Sequence, residues 1–290
     1  MDRYYKLGDA VLCLRNWPEY PAWPFALWKL DPYKTAEAPV HILAEYDPDF
    51  QIAEEETWQV LEKTISANRY EQRLADGWNL WKQVQSDGAE MKFAISPDYC
   101  HIILMKDTTN TCGMAVMEAL GFFVIPGLVN FDVLPLHAAV VEHREYLGCI
   151  LLGPSGCGKT TQARLLRDHH RCLICNSDKA LCYRVHDTWM VIGSPWCGTG
   201  GESVNRNVLL RMGCFVDKAE SENITSPIRR DAVLKRLLPL ILIPPRRQLL
   251  QKAFCLADDL IRDLLWVDAK LLPDHTAAHT LARWIGGCGE

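Results

Sequence analysis

Gly153, Gly156 and Gly158 precede a lysine and two threonines in the run Gly153-Pro154-Ser155-Gly156-Cys157-Gly158-Lys159-Thr160-Thr161. Glycine has no Cβ, so the backbone there can fold its N–H groups inward around an anion. A lysine and a hydroxyl directly after such a loop supply the two further groups a triphosphate needs. Lys159 has the reach for the β- and γ-phosphates, and the Thr160 hydroxyl is a hard oxygen ligand for Mg²⁺. The pattern Gly-x4-Gly-Lys-Ser/Thr is met in full, which predicts a nucleoside triphosphate such as ATP, with Mg²⁺, held by residues 153–161. Cys157 is incidental to the pattern, although a thiol beside bound phosphate would be open to oxidation.

Such a loop works only between a strand that delivers it and a helix whose positive N-terminal end faces the anion. Cys149 to Leu152 is a fully apolar run suited to a buried strand, and Thr161 to Asp168 has helical character with Leu165 and Leu166 on its buried face. Upstream, Ala138 to Val141 reads as a strand and His143 to Tyr146 as a turn; downstream, Leu173 to Cys175 resumes strand. Later, Ala232–Ile243 and Gln248–Leu265 read as helices separated by Pro244-Pro245-Arg246-Arg247, and Thr276–Ile285 as a closing helix.

The first 132 residues have a different character. Tyr4–Leu14, Pro39–Tyr46, Met91–Ile95 and His101–Met105 read as strands, interrupted by Asn16-Trp-Pro, Asp47-Pro-Asp and Ser96-Pro-Asp. A helix over Thr108–Leu120, capped by Thr109 or Asn110, connects this β-rich part to the next. The tryptophans and tyrosines of residues 1–81 suit the core of a small β-rich domain better than a binding groove. Two domains are therefore expected, 1–132 and 133–290, each large enough to bury its own core.

The net charge of −5 and pI near 6.0 argue against nucleic acid or an anionic membrane as partner. With no apolar leader and no run long enough to span a bilayer, a cytoplasmic location is expected. The 12 cysteines are scattered through apparent core strands and read as reduced thiols. The pair Cys172 and Cys175 has zinc-like spacing, but positions three apart on a strand face opposite ways and no second pair completes four ligands.

Four segments together, Leu136-His137-Ala-Ala-Val140, the glycine loop, Asn176-Ser177-Asp178-Lys179 and Gly193-Ser-Pro-Trp-Cys-Gly198, resemble the HPr kinase/phosphorylase-like family. That family shares its P-loop core with phosphoenolpyruvate carboxykinases, and the resemblance covers roughly residues 133–285. It implies an α/β fold, a P-loop kinase core of the HPr kinase/PEP carboxykinase type, here joined to an N-terminal β-rich α+β domain. It also implies that Asp178 takes the proton from an attacking hydroxyl close to Mg²⁺, and that the strand carrying His137 pairs with the P-loop strand. Lys179 stands where the family has a second aspartate.

His137 is read either as a hydrogen-bonded core residue or as a contact to Asp178 or phosphate. Gly193–Glu202, rich in glycine around an exposed Trp196, reads as a mobile lid. Arg206, directly after it, is the favoured source of positive charge for a phosphoryl transition state, ahead of Arg211, Arg229 and Arg230. Asp268 ends an apolar run but reads as structural. The function expected is an ATP- and Mg²⁺-dependent phosphotransferase acting on a hydroxyl of a peptide, protein or small molecule. The alternative is a nucleotide-binding regulatory module without turnover, with carboxykinase chemistry ranked last because no dicarboxylate site can be located.

Overall fold

The computed structural model describes residues 2–17, 30–53, 58–64, 67–108, 114–143, 147–198 and 201–286. The chain divides into two compact units, Met1–Phe131 and Asp132–Glu290.

The first unit is built on a nine-stranded sheet in the order β3-β1-β2-β4-β9-β8-β7-β6-β5. In chain order these are β1 (Arg3–Leu7), β2 (Ala10–Arg15), β3 (Lys34–Thr35), β4 (Ile42–Tyr46), β5 (Gln59–Lys63), β6 (Ala67–Arg73), β7 (Asn79–Gln85), β8 (Glu90–Ile95) and β9 (His101–Asp107). The single strand expected over Tyr4–Leu14 is a hairpin, turned at Gly8, whose φ of +66° suits glycine. Strands β5 to β7 carry long polar side chains such as Glu71, Gln72, Arg73 and Lys82, which hid them from a reading based on apolar runs. Helix α1 (Met114–Gly127) is shifted toward the C-terminus of the expected helix, and its proposed caps Thr109 and Asn110 lie outside the described residues. Tyr5, Trp17, Tyr33 and Trp81 are buried, as core residues are, while Trp58 is half-buried with Lys82 Nζ 4.0 Å over its ring.

The second unit carries the glycine loop. Its strands are β10 (Leu134–His143), β11 (Gly148–Leu152), β12 (Cys172–Asn176), β13 (Lys179–Val185), β14 (Thr188–Gly193), β15 (Asn207–Lys218), β16 (Ile224–Pro227) and β17 (Leu265–Leu271). Its helices are α2 (Lys159–His170), α3 (Arg230–Leu237), α4 (Arg247–Asp263) and α5 (His275–Ile285). The architecture is α/β with a mixed sheet. Two long strands organise it, because each pairs with different partners along its length. The first half of β10 pairs with β13 and the second half with β11 and β12; β15 pairs first with β14, then with β11 and β17. The pairings β11-β10-β13-β14-β15-β11 thereby close on themselves.

All five residues of β11 are buried, and its parallel partner β15 is buried from Met212 to Val216, as expected of strands covered on both faces. Alternate residues Leu151, Val216 and Val267 meet Ala163 and Leu166 of α2 and Leu281 of α5 in one core. Asp274 starts α5 by accepting the N–H groups of Thr276 and Ala277 at 2.9 and 3.3 Å. The helix expected over Ala232–Ile243 stops at Leu237 and gives way to a single tight turn over Leu238–Leu240; Pro239 has no N–H to continue the α-helical ladder. Among the described residues no helix is long and apolar enough to cross a membrane, and the cysteines are free thiols.

Candidate active site

The glycine loop leaves the buried strand β11 and ends in α2. Gly153, Gly156 and Gly158 have φ of +145°, +79° and +112°, a region where other residues are strained. A Cβ at Gly153 would fall 2.7 Å from Cys157 Sγ and 2.9 Å from the Val216 carbonyl, so glycine is required by packing against β15. At Gly156 and Gly158 a Cβ would meet nothing within 4 Å, because these residues face the open cleft. Lys159 is only 6% exposed, and its Nζ donates to the carbonyls of Gly153 at 2.8 Å and Pro154 at 3.1 Å. Burial lowers its pKa, against the opposing influence of Cys157 and Asp178.

Asp178 reaches this cleft by a route the local sequence does not reveal. Strands β12 and β13 run end to end along one edge of β10, and β11 lies along the other. Residues 177 and 178 form the break between them, level with His137 and Ala138, and the glycine loop begins next to Ala138's other partner, Leu152. Asp178 and the loop are therefore separated by about two strand spacings, roughly 10 Å. The strand leading to Asp178 is thus not the neighbour of the P-loop strand; β10 intervenes and puts His137 beside Asp178. His137 Nε2 is 3.2 Å from Asp178 Oδ1, and Lys179 Nζ is 3.6 Å from Oδ2.

The hydrogen bond from His137 is the main reason the Asp178 pKa falls below the ordinary 3.8; partial burial opposes it, and the charges of Lys179, His137 and Lys159 add to it. A carboxyl with a lowered pKa stabilises the fold at pH above its ordinary value, and that contribution is lost as pH falls through the lowered one. The denaturation midpoint of Asp178→Asn should therefore lie below the parent's at pH 7, with the gap closing as pH falls below about 4. Urea titrations at several pH values measure this.

Asn176, which sequence reasoning passed over, shapes the turn. It is fully buried; its Oδ1 accepts the N–H of Asp178 at 2.8 Å and of Lys179 at 2.6 Å, while Nδ2 donates to the Ser194 carbonyl at 2.8 Å. The run Asn176-Ser-Asp after an apolar strand is a side-chain turn signature that could have flagged it. Asn176→Ala leaves two N–H groups and a carbonyl without these partners, and should cost about 2–4 kcal/mol of stability in chemical denaturation.

The segment read as a lid is a wall over its described part. Trp196 is 1% exposed, contrary to expectation. Ser177 Oγ donates to the Cys197 carbonyl at 2.8 Å, Ser194 Oγ to the Trp196 carbonyl at 2.8 Å, and Glu202 pairs with Arg164 and Arg167 of α2. Gly198 approaches so closely that a Cβ there would lie 2.8 Å from the Asp178 carboxyl. At Gly193 and Gly198 the missing side chain permits this close backbone approach. Thr199 and Gly200 lie outside the described residues.

Arg206 is not beside the loop. Its guanidinium pairs with Glu142, five residues along β10 from His137, about 16 Å of strand. Arg229 pairs with Asp231, Arg230 donates to the Arg262 carbonyl at 3.0 Å, and Arg211 is exposed. Asp268 accepts from Arg236 at 2.7 Å, which also holds Asp217, giving it a structural partner. The cations lining the cleft, among the described residues, are Lys159 and Lys218. Lys218 escaped notice, although it ends the apolar strand β15, and strand C-terminal ends are where α/β sheets bind ligands.

Together these groups line a cleft of about 320 Å³, with Ser155, Lys159 and Thr160 on one side and His137, Ser177 and Asp178 on the other. Thr160 and Asp178 are oxygen donors of the hard type Mg²⁺ takes, and inward-facing glycine backbone with a buried ammonium suits a phosphate chain. The residues present fit both groups.

No protein-family model matches the chain, and no curated protein matches it. Among solved structures the chain is similar to the Hpr(Ser) kinase/phosphatase from Coxiella burnetii, at 12% identity, over 53% of this chain and 94% of that one, with a TM-score of 0.31.

Proposed function

We propose that the second unit is an ATP- and Mg²⁺-dependent phosphotransferase that moves the γ-phosphoryl group to a hydroxyl. The observation that carries this is the carboxylate of Asp178, 3.2 Å from His137 Nε2 and lining one cleft with Lys159 and Thr160. The loop N–H groups and Lys159 would hold the phosphates. Thr160 and Asp178 would hold Mg²⁺, which supplies charge neutralisation when bound. Asp178 would accept a hydrogen bond from the attacking hydroxyl and draw off its proton, while His137 fixes the carboxylate and stabilises its charge. The acceptor is a serine of a peptide or protein, or a small-molecule alcohol. The family resemblance of the four segments supports the same reading.

The lowered basicity of Asp178 does not disqualify it. Phosphoryl transfer passes through a loose transition state in which little charge builds on the nucleophile, so orientation matters more than base strength. Incubating the chain with Mg-ATP and serine-containing peptides or alcohols, followed by phosphorus NMR, should show a new phosphate ester.

A second reading keeps nucleotide binding without transfer. It is favoured by Lys179, whose ammonium 3.6 Å from Asp178 competes with both Mg²⁺ and the acceptor for that carboxylate. Tight ATP binding with no ester formed, and none gained in Lys179→Met, would decide for it.

A further inference from the structure

Strand β15 ends against the glycine loop. Its residues Met212, Cys214 and Val216 lie in one core with Ala163 and Leu166 of α2, and a Cβ on Gly153 would fall 2.9 Å from the Val216 carbonyl. Alternate residues of a strand share a face, so Lys218, two positions beyond Val216, projects from the loop side of the sheet. Asp217 projects from the opposite side, where Arg236 holds it at 2.7 Å. The neighbouring carboxylate is thereby turned away from the lysine. Lys218 is exposed, and among the described residues its ammonium makes neither an ion pair nor a hydrogen bond. Its backbone, by contrast, is fixed: Lys218 stands opposite Leu271 of β17, and the N–H of Ala219 donates to the Leu271 carbonyl at 3.0 Å.

The surroundings of Lys218 decide which part of a phosphate chain it would meet. It lines the polar cleft with Gly158 and Thr161, and the same three residues line a neighbouring cavity of about 400 Å³ together with Cys157, Ala219, Leu271 and Pro273. His137, Ser177 and Asp178 line the cleft but not that cavity. The open space therefore continues past Lys218 on the side away from Asp178. With Asp178 beside the γ-phosphoryl group, Lys218 stands where the chain leads on toward the nucleoside.

We propose that Lys218 is a phosphate-binding residue for the inner part of the nucleotide, its ammonium meeting the α- and β-phosphates and not the γ-phosphate. This rests on reading the cleft as the phosphotransfer site. A lysine ammonium is a compact charge with three donors on a flexible stem, which suits oxygens spread over two neighbouring phosphates. ADP and ATP have these two phosphates in common, so Lys218 strengthens the binding of both to the same degree.

Calorimetry of the whole chain with Mg-ATP and Mg-ADP tests this. Lys218→Met should weaken both by about tenfold, the loss of one charge-assisted contact, and should flatten the fall of affinity with rising salt. Lys218→Arg, which keeps the charge, should recover most of the loss for both nucleotides. Lys218→Gln removes the charge while keeping a polar side chain, and should repeat the two losses. Weakened ATP binding with ADP unaffected would place Lys218 at the γ-phosphate and overturn the proposal, as would unchanged affinity for both. A parent chain that binds ATP and ADP tightly leaves the phosphotransfer reading standing in either case; a parent that binds neither would overturn that reading and the role of Lys218 together.

Discussion

Lys159→Met is expected to weaken Mg-ATP binding by about a hundredfold or more while leaving the fold at least as stable as the parent. Both halves follow from where the ammonium sits. Lys159 is buried, its Nζ donates only to loop carbonyls, and among the described residues no carboxylate lies within ion-pair distance. Hydrogen bonds to charged groups are worth about 1.5–3 kcal/mol each, so losing even one or two to phosphate oxygens removes most of the anchoring. The folded protein gains little from the same charge. Replacing a buried ionic group by an apolar one of similar size is often neutral or stabilising.

The pH dependence carries an independent check. A lysine whose folded pKa is lowered by burial binds fewer protons folded than unfolded once pH exceeds that lowered value, so stability rises with pH toward the ordinary 10.5. The parent should show this rise in urea midpoints and Lys159→Met should not. Calorimetry showing unchanged ATP affinity in the variant would defeat the nucleotide assignment.

Asp178→Asn is expected to lower phosphoryl transfer by about 10²- to 10⁴-fold, with the ATP dissociation constant changed only a few-fold. The substitution keeps the shape of the side chain, and the turn itself depends on Asn176 bonding to the backbone N–H groups of residues 178 and 179. The loss would therefore report on the carboxylate and not on a collapsed loop. Single-turnover measurements with saturating ATP isolate the chemical step. Equal rates in variant and parent would remove Asp178 from the reaction. Lys179→Met sharpens the test, because deleting the cation beside Asp178 frees the carboxylate and should raise its basicity.

The loop and its flanks were legible in the chain because their causes are local. An all-apolar run makes β11, glycines at positive φ make the turn, and the helix that follows begins at Lys159, directly after the left-handed Gly158. Helix α4 was legible for a similarly local reason, the Pro244-Pro245 break that separates it from the preceding helical segment.

What the sequence hid depends on pairing between distant residues. Arg206 follows the suspected lid by only a few positions, yet the register of β10 delivers Glu142 to it far from the loop. Trp196 sits amid glycines that suggested motion, but the buried carbonyls of residues 194, 196 and 197 are tied to Asn176, Ser194 and Ser177. Lys218 joins the cleft because β15 runs beside β11.

By itself, then, the sequence determined the cradle: glycine freedom, one lysine and one hydroxyl act within eight residues and need no distant partner. Only the tertiary structure decided what faces the cradle. Asp178 and His137 are 41 residues apart in the chain and meet because β10 pairs β11 on one edge and the β12–β13 run on the other. Such strand register is set by the burial of whole faces, a property of the assembled sheet that no short segment contains.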